Sequence, residues 1–324
     1  MNVFVTKNIP EVGILLLQKE GINLTINPTE NILSRTEFIE ICKKNDAILN
    51  VGTNNFDEDF FEQCSNLKGI ALFSVGYDFV NILSANKRKI PIGNTPDVLS
   101  KATSDVAFLL MQNVARKSFY NHKRILNNGW TSFDPMANLG QELYGKTLGI
   151  FGLGRIGFEM AKKCKAAFEM NIMYHNRSRN EKAEKELDAK YVDFETLLSK
   201  SDVLSVHSNF SAENTEIFNK NAFVKMKRNS IFINTARGKF HNEADLFDAL
   251  TNGTIWGAGL DVTNPEPMQP NNPILSLPNC CVLPHIGSAT YEARNGMAIC
   301  AAQNLLALFE NKKMPFCVNK EVYF

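Results

Sequence analysis

Short apolar runs alternate with helical patterns along most of this chain, and no other feature constrains its fold as strongly. In the first third, runs such as NVFVT, DAILNV, LKGIALFSV and IPIGNT are separated by stretches such as EVGILLLQKE and FVNILSANKRK. Strands that alternate with helices form parallel βαβ units, and strands covered by helices on both faces are apolar throughout. The pattern therefore predicts an α/β protein built on parallel sheets.

A second series of apolar runs begins near residue 147 and predicts a second sheet. Its members are TLGIF, NIMYHN, DVLSVHS, SIFINTA, WGAGLDV and CCVLPH. The 324 residues exceed what one ordinary core holds and fit two domains. We expect one domain to combine residues 1–98 with 287–324 and the other to span 99–286.

Two longer helices are predicted where the chain passes between these domains. The stretch TSDVAFLLMQNVARKS carries apolar residues at helical spacing, which places four of them on one face: Val106, Leu109, Leu110 and Val114. A second apolar set follows in the last forty residues or so and predicts a helix that returns to the first domain: Met297, Leu305, Leu308 and Phe309.

Composition excludes several classes of partner. The net charge of +1 gives no reason to expect nucleic acid or an anionic membrane surface. The start, MNVFVTKNIP, lacks the pattern of a signal peptide, and no apolar run has the roughly 18 residues of a membrane span. The seven cysteines show no C-x-x-C pair or metal-ligand spacing. We therefore expect reduced thiols, no metal and a cytoplasmic location.

A glycine-rich segment, IFGLGRIGFEMAKKC, follows the apolar run TLGIF and opens a helical stretch. It has the spacing G-x-G-x-x-G at Gly152, Gly154 and Gly157, which in this context is typical of a dinucleotide-binding loop. The glycines permit a tight turn and close backbone approach, and the helix N-terminus offers N–H groups to a pyrophosphate. The segment between them, Arg155 and Ile156, belongs to the same predicted site.

The end of the next strand bears on which nicotinamide cofactor binds. An acidic residue about 20 residues after the glycines accepts the ribose 2′-hydroxyl in NAD-binding proteins. Here that position is Asn176, followed by Arg177, Ser178 and Arg179. Guanidinium and hydroxyl groups favour a 2′-phosphate. The turn thus predicts NADP(H) as the preferred cofactor, with NAD(H) possible; the alternative is a solvated basic turn.

Three ionisable residues stand where apolar runs end. Arg237 follows SIFINTA, Glu266 follows GAGLDVTNP, and His285 follows CCVLP. Ligands of parallel α/β sheets bind beyond the carboxyl ends of the strands, so these side chains can converge beside the cofactor. Glu266 lies between two prolines, which exclude regular structure and fix the loop.

The motifs GLGRIG, NTARG, GLDVTNPEP and LPHIGSAT occur in the order found in the D-2-hydroxyacid dehydrogenase family, which the chain resembles over nearly its whole length. GWTSF and PHIGSATYEARNGM are most similar to the glyoxylate/hydroxypyruvate reductase branch. The resemblance implies two Rossmann-like or flavodoxin-like parallel-sheet domains with the active site in the cleft between them. It also implies reversible hydride transfer between NAD(P)H and a 2-oxo acid.

The chemistry of that reaction suggests roles for the three residues. Arg237 binds the substrate carboxylate and polarises the carbonyl, and His285 donates a proton to the carbonyl oxygen. By resemblance Glu266 is directed at His285, where a carboxylate favours the imidazolium form and fixes the ring.

The resemblance assigns further residues to the site. It places Asp261, Thr235 and Ala236 near the nicotinamide, and the backbone N–H groups of Val75 and Gly76 at the substrate carboxylate. Ser288 is a further substrate residue.

Trp130 lies in a segment that resembles a loop crossing to a partner subunit, so we expect a homodimer in which it lines the neighbour's pocket. An interface or core anchor is the alternative role for this tryptophan.

Three positions depart from the usual family pattern: Tyr77, Asn209 and His241. Alternatives to the reductase are another D-2-hydroxyacid dehydrogenase, such as a phosphoglycerate dehydrogenase, or a nucleotide-sensing binding protein of the corepressor type. Fold alone does not separate these, whereas turnover of glyoxylate with NADPH does.

Overall fold

The computed structural model describes residues 1–28 and 32–324, which divide into two compact units. Unit 1 consists of Met1–Leu99 and Ala289–Phe324, and unit 2 is Ser100–Ser288. Each unit has one parallel sheet with helices between its strands, which confirms the predicted α/β class. Among the described helices, none combines the length and apolar character that a membrane crossing demands.

The described residues of unit 1 form five strands in the order β2-β1-β3-β4-β5, and every neighbouring pair is parallel. The strands are β1 (Asn2–Val5), β2 (Asn23–Ile26), β3 (Ala47–Asn50), β4 (Gly69–Leu72) and β5 (Ile92–Gly93). The helices between them are α1 (Glu11–Lys19), α2 (Arg35–Cys42), α3 (Glu58–Gln63) and α4 (Ile82–Lys87). The centre of its core is aromatic, with the rings of Phe38, Phe56 and Phe60 in mutual contact.

Unit 2 has seven strands in the order β12-β11-β10-β9-β6-β7-β8, again all parallel. The strands are β6 (Thr147–Phe151), β7 (Asn171–His175), β8 (Lys190–Tyr191), β9 (Val203–Val206), β10 (Ile231–Asn234), β11 (Gly257–Leu260) and β12 (Cys280–Val282). The helices are α5 (Ser100–Arg116), α6 (Ser118–Leu126), α7 (Arg155–Phe168), α8 (Glu181–Leu187), α9 (Phe194–Lys200), α10 (Lys220–Lys225) and α11 (Glu243–Thr251).

The chain reverses its direction of strand addition between β6 and β9, so the topological switch point of unit 2 lies there. The alternation of side chains along a strand sends residues to the two faces of this sheet. In β10, Ile231 and Ile233 enter one core cluster, whereas Phe232 enters the other. Both faces are therefore covered by packed apolar side chains, as a parallel sheet requires.

The last helix, α12 (Tyr291–Phe309), returns to unit 1 and packs on α1. The two helices approach closely at Gly13, where a Cβ atom would lie 2.8 Å from the carbonyl oxygen of Ala298. Only a glycine permits that approach without a shift of backbone.

The face predicted for the helix near residue 106 is partly wrong. Within α5, Leu110 and Val114 are fully buried, but Leu109 is 46% exposed. The buried face instead includes Ala107 and Met111, because α5 packs on α7 and on the sheet along a stripe offset by part of a turn.

Candidate active site

The predicted phosphate loop connects β6 to α7 at the switch point of unit 2. Gly152 has φ +95°, and a Cβ there would lie 2.4 Å from the backbone of Ser208, which follows β9. A Cβ at Gly157 would lie 2.8 Å from the carbonyl oxygen of Gly152. These two glycines are required by the turn and by the packing of α7 on its own strand.

Gly154 has a different environment, which bears on ligand binding. Its φ is −89°, and a Cβ added to it would meet nothing within 4 Å. No internal contact therefore requires a glycine, whereas close approach of a ligand to the backbone would. The first N–H groups of any α-helix have no acceptor within the helix itself, and at the start of α7 Gly154 supplies no side-chain cap. The loop thus fits a pyrophosphate.

The basic turn after β7 is only partly available to a ligand. Asn176 is turned toward the glycine loop, where its Oδ1 accepts the N–H of Leu153 at 2.6 Å. Arg179 donates twice to Glu184, at 3.0 and 2.7 Å. These bonds from Arg179, together with the hydroxyl of Tyr174, hold the pKa of Glu184 below its ordinary value. Glu184 is therefore a carboxylate that neutralises Arg179.

Arg177, Ser178 and Arg179 are all exposed, but of the two arginines only Arg179 is paired with Glu184 in the described residues. Within residues 1–28 and 32–324, Arg177 makes no ion pair. It is the cation of this turn that is best placed to meet a phosphate.

Arg237 lies on the loop after β10, which rests against the loop that carries Glu266. The two loops meet at Gly238, where a Cβ would overlap the carbonyl oxygen of Thr263. The guanidinium of Arg237 is half-buried, and its Nη1 donates to the carbonyl of Ala236 at 2.8 Å. The preceding residue, Thr235, is buried, and its Oγ1 has no hydrogen-bond partner in the described part of the chain.

Glu266 and His285 form the central contact of the site. Oε1 of Glu266 lies 2.5 Å from Nδ1 of His285, while the N–H of Thr263 donates to Oε2 at 3.4 Å. Burial raises the pKa of Glu266, but the hydrogen bond and charge of His285, the Thr263 N–H and the charge of Arg237 outweigh it and hold the pKa below its usual value. Glu266 is thus an anion near neutral pH, and its contact with Nδ1 leaves Nε2 for a substrate.

His285 has a backbone conformation that few non-glycine residues adopt, with φ +53°. The following residues hold it there. Oδ1 and Oδ2 of Asp261 accept the N–H groups of Ile286 and Gly287 at 2.8 and 2.7 Å. Burial raises the pKa of Asp261, although the two backbone bonds and His285 oppose this rise. Ser288 is half-buried one residue further along the same loop.

The segment predicted to meet the substrate carboxylate lies in unit 1, directly after β4. Among the described residues, none accepts the backbone N–H of Val75 or Gly76, which agrees with a role as donors to a ligand. The oxygens of the loop are engaged internally: the carbonyl of Val75 accepts from Asn94 and that of Gly76 from Ser74. The residues directly after Gly76 are not helical, because α4 begins at Ile82, where the side chain of Asn81 caps it.

The described ranges contain no group of three or more His, Cys, Asp or Glu side chains that could hold a metal ion. All seven cysteines are buried free thiols.

Asn234 and the partners of Asp261 and Arg179 were not identified from the sequence, and His241 was noted there only as a departure from the family pattern. Asn234 contacts both Arg237 and His241. Two signals were present in the sequence: the polar Asn234 at the end of an otherwise apolar run, and the departure of His241 from the family pattern.

A switch-point glycine loop beside an Arg–Glu–His arrangement defines a dinucleotide-dependent oxidoreductase. Comparison with known proteins agrees, because residues 108–287 match the family described as "D-isomer specific 2-hydroxyacid dehydrogenase, NAD binding domain". The chain belongs to this family. It is 42% identical to a glyoxylate reductase of Thermococcus litoralis over 99% of this chain and 97% of that protein.

Two solved structures are similar over both units. The glyoxylate reductase from Paecilomyes thermophila is 32% identical with a TM-score of 0.88, and the match covers 99% of each chain. An NADPH-dependent glyoxylate/hydroxypyruvate reductase from Sinorhizobium meliloti, in complex with NADP and malonate, is 29% identical with a TM-score of 0.83. That match covers 100% of this chain and 98% of the other. The predicted family and the nicotinamide dinucleotide as cofactor are therefore confirmed.

Proposed function

We propose that this protein reduces a small 2-oxo acid, glyoxylate or hydroxypyruvate, to the D-2-hydroxy acid with NAD(P)H, and that His285 is the general acid. The observation that carries the proposal is the 2.5 Å contact between Glu266 and His285, on a loop that touches the Arg237 loop. The names of the relatives support the substrate class.

Bound NAD(P)H would supply the hydride that attacks the substrate carbonyl. Side chains of the protein bind the substrate carboxylate and protonate the carbonyl oxygen. Arg237 binds the carboxylate next to the carbonyl, because its planar fork suits bidentate contact. Nε2 of His285 gives its proton to the carbonyl oxygen, so no free alkoxide forms. Glu266 compensates the imidazolium before transfer and holds the ring by Nδ1 throughout.

The rest of the substrate and cofactor assignments follow the family resemblance. The N–H groups of Val75 and Gly76 bind the substrate carboxylate, and Ser288 contacts the substrate. Thr235 and Ala236 line the nicotinamide. Asp261 lies near the amide of the nicotinamide. The hydrogen bonds that Asp261 accepts from Ile286 and Gly287 support a second role for it, which is to hold the His285 loop.

We further propose NADPH as the preferred reductant. The support is the lack of an acid at Asn176 and the exposed guanidinium of Arg177, with Ser178 beside it. Arg179 contributes less, because Glu184 already holds it.

The test is a panel of 2-oxo acids assayed with NADPH and with NADH. We expect the highest kcat/KM for glyoxylate or hydroxypyruvate with NADPH. Activity should depend on His285: replacement by alanine should reduce kcat by more than about 100-fold. Failure of the wild-type protein to turn over any member of the panel would refute the function, and equal kcat/KM with both cofactors would refute the preference.

The protein is proposed to act as a homodimer. Three large apolar side chains near the end of α6 support this, with exposures of 70% for Trp130, 89% for Phe133 and 74% for Met136. A second copy that covers this segment would remove them from water and could bring Trp130 to the partner's substrate pocket. Light scattering coupled to gel filtration would decide, since a monomeric mass at micromolar concentration contradicts it.

A cytoplasmic location is part of the proposal. The buried free thiols support it, because such thiols persist in reducing compartments. Fractionation of the source cells with detection of the protein would test the location.

A further inference from the structure

A buried polar pair lies directly behind Arg237 and has no place in the chemistry described so far. Asn234 ends β10, His241 follows the short helix Gly238–Phe240, and both side chains are 0% exposed. Oδ1 of Asn234 accepts the N–H of Ala236 at 3.0 Å, while Nδ2 donates to the carbonyl of Arg237 at 2.8 Å. One side chain thus holds both ends of the Ala236–Arg237 segment.

The same bonds determine the protonation of His241. Because the backbone N–H of Ala236 requires an oxygen, the orientation of the Asn234 amide is fixed. Its Nδ2 then faces Nδ1 of His241 at 3.1 Å and can only donate. Nδ1 must therefore offer a lone pair, and the proton of the neutral ring resides on Nε2.

Nε2 of His241 is buried and finds no hydrogen-bond partner in the described part of the chain. A buried N–H without a partner is unfavourable, so an aliphatic side chain would be the simpler choice for this position. What histidine adds over an aliphatic residue is the lone pair on Nδ1. That lone pair satisfies the second N–H of Asn234 and restrains rotation of its amide.

We propose that His241 is a positioning residue that acts through Asn234 to aim Arg237 at the carboxylate of the 2-oxo acid. The inference rests on the proposed function, in which Arg237 binds that carboxylate. Arg237 is coupled to the restrained segment at two points. Its carbonyl accepts from Asn234, and its Nη1 donates to the carbonyl of Ala236. Loosening the amide of Asn234 therefore loosens the guanidinium.

Two replacements of His241 separate this role from simple packing. His241→Leu removes the acceptor, whereas His241→Asn places Oδ1 where Nδ1 stands. With saturating NADPH, His241→Leu should raise KM for the 2-oxo acid roughly three- to tenfold, the equivalent of one lost hydrogen bond, with kcat nearly unchanged. His241→Asn should restore KM to within about twofold of wild type. Equal KM for wild type and His241→Leu would overturn the proposal, as would failure of His241→Asn to restore KM.

A double-mutant cycle tests whether the effect passes through Asn234. In an Asn234→Ala background, His241→Leu should produce no further increase in KM, because the relay is already broken. Independent, multiplying effects of the two changes would contradict the relay. Binding of oxamate, a 2-oxo acid analogue, by calorimetry in the presence of NADPH should weaken in parallel with KM.

A further measurement uses the wild-type protein alone and does not depend on enzymatic activity. Long-range ¹H–¹⁵N spectra of the wild-type protein at neutral pH report which ring nitrogen of each histidine carries the proton. The Nε2-protonated form of His241 is expected, and the Nδ1-protonated form would overturn the inference even if the enzyme is active. Absence of wild-type activity would instead count against the proposed function, and the spectra would still judge the contact between Asn234 and His241.

Discussion

Asp261 holds Gly287 in place from 26 residues away: its Oδ2 accepts the Gly287 N–H at 2.7 Å, and a Cβ on Gly287 would lie 3.0 Å from that oxygen. Its other oxygen binds the N–H of Ile286. Because His285 directly precedes this pair and has φ +53°, a buried carboxylate at the end of β11 fixes the conformation of the loop that carries His285.

Replacing Asp261 by asparagine should therefore impair both stability and catalysis. One of the two backbone N–H groups would then face an amide N–H and lose its acceptor, which costs about 1–3 kcal/mol. Loss of that bond should also displace the imidazole of His285 and thereby reduce kcat roughly ten- to a hundredfold. Urea unfolding and steady-state rates measure the two effects. Asp248→Asn, an exposed aspartate on α11, is the matched control, and identical values for both variants would contradict the role.

Glu266→Gln should shift the pH dependence of reduction toward lower pH. The pKa of Glu266 lies below its usual value, so the carboxylate is charged throughout the neutral range and favours the protonated ring of His285. A neutral amide removes that negative charge from beside the proton that reduction consumes. The rate of 2-oxo acid reduction should consequently begin to fall at lower pH than in wild type.

The measurement is a pH profile of kcat/KM for the reductive direction. Glu213→Gln, on the short helix Ala212–Asn214, changes an exposed glutamate of the same unit and should leave the profile unmoved. Superimposable profiles for wild type and Glu266→Gln would exclude the assigned role.

The apolar strands and the glycine loop could be predicted from the sequence, because both depend on residues that are close together in the chain. Two strands were not predicted: β2 alternates exposed and half-buried residues, and β8 has only two residues, both exposed. Pairing along the sheet, which no local pattern encodes, makes them strands. The ion pair between Arg179 and Glu184 could not be predicted either, because it depends on how α8 follows the turn.

Within the site, the Glu266–His285 contact was anticipated through resemblance, and the structure contains it. The buried pair of Asn234 and His241 was not anticipated, because its contact needs a loop that folds back on the end of β10. A sequence shows which residues follow strands, but not which backbone atoms they hold.

Arg177 should carry most of the preference for NADPH. Its guanidinium is exposed, whereas that of Arg179 is held by two bonds to Glu184. Arg177→Ala should lower kcat/KM for NADPH roughly 10- to 100-fold, the range of a charge-assisted hydrogen bond, and change that for NADH little. Arg179→Ala should have the smaller effect. Lys185→Ala, an exposed cation on α8, serves as control; a larger loss from Arg179→Ala than from Arg177→Ala would reverse this assignment.

The buried His241 should make the protein sensitive to acid. Burial lowers its pKa to about 4, whereas an unfolded chain has a histidine pKa near 6.5. Below about pH 6.5 the unfolded chain therefore binds a proton that the folded protein does not accept, and stability is lost as the pH falls toward 4. The difference corresponds to on the order of 3 kcal/mol.

Urea unfolding between about pH 7 and 4.5 would reveal this contribution. His241→Asn should show a flatter decline of the unfolding free energy than wild type over that interval, because its side chain does not titrate. His207, whose pKa burial lowers to about 3, remains in both proteins and cancels from the comparison. His122→Asn removes an exposed histidine of α6 and should decline in parallel with wild type. Parallel curves for His241→Asn and wild type would mean that His241 gains its proton as easily in the folded protein as in the unfolded chain.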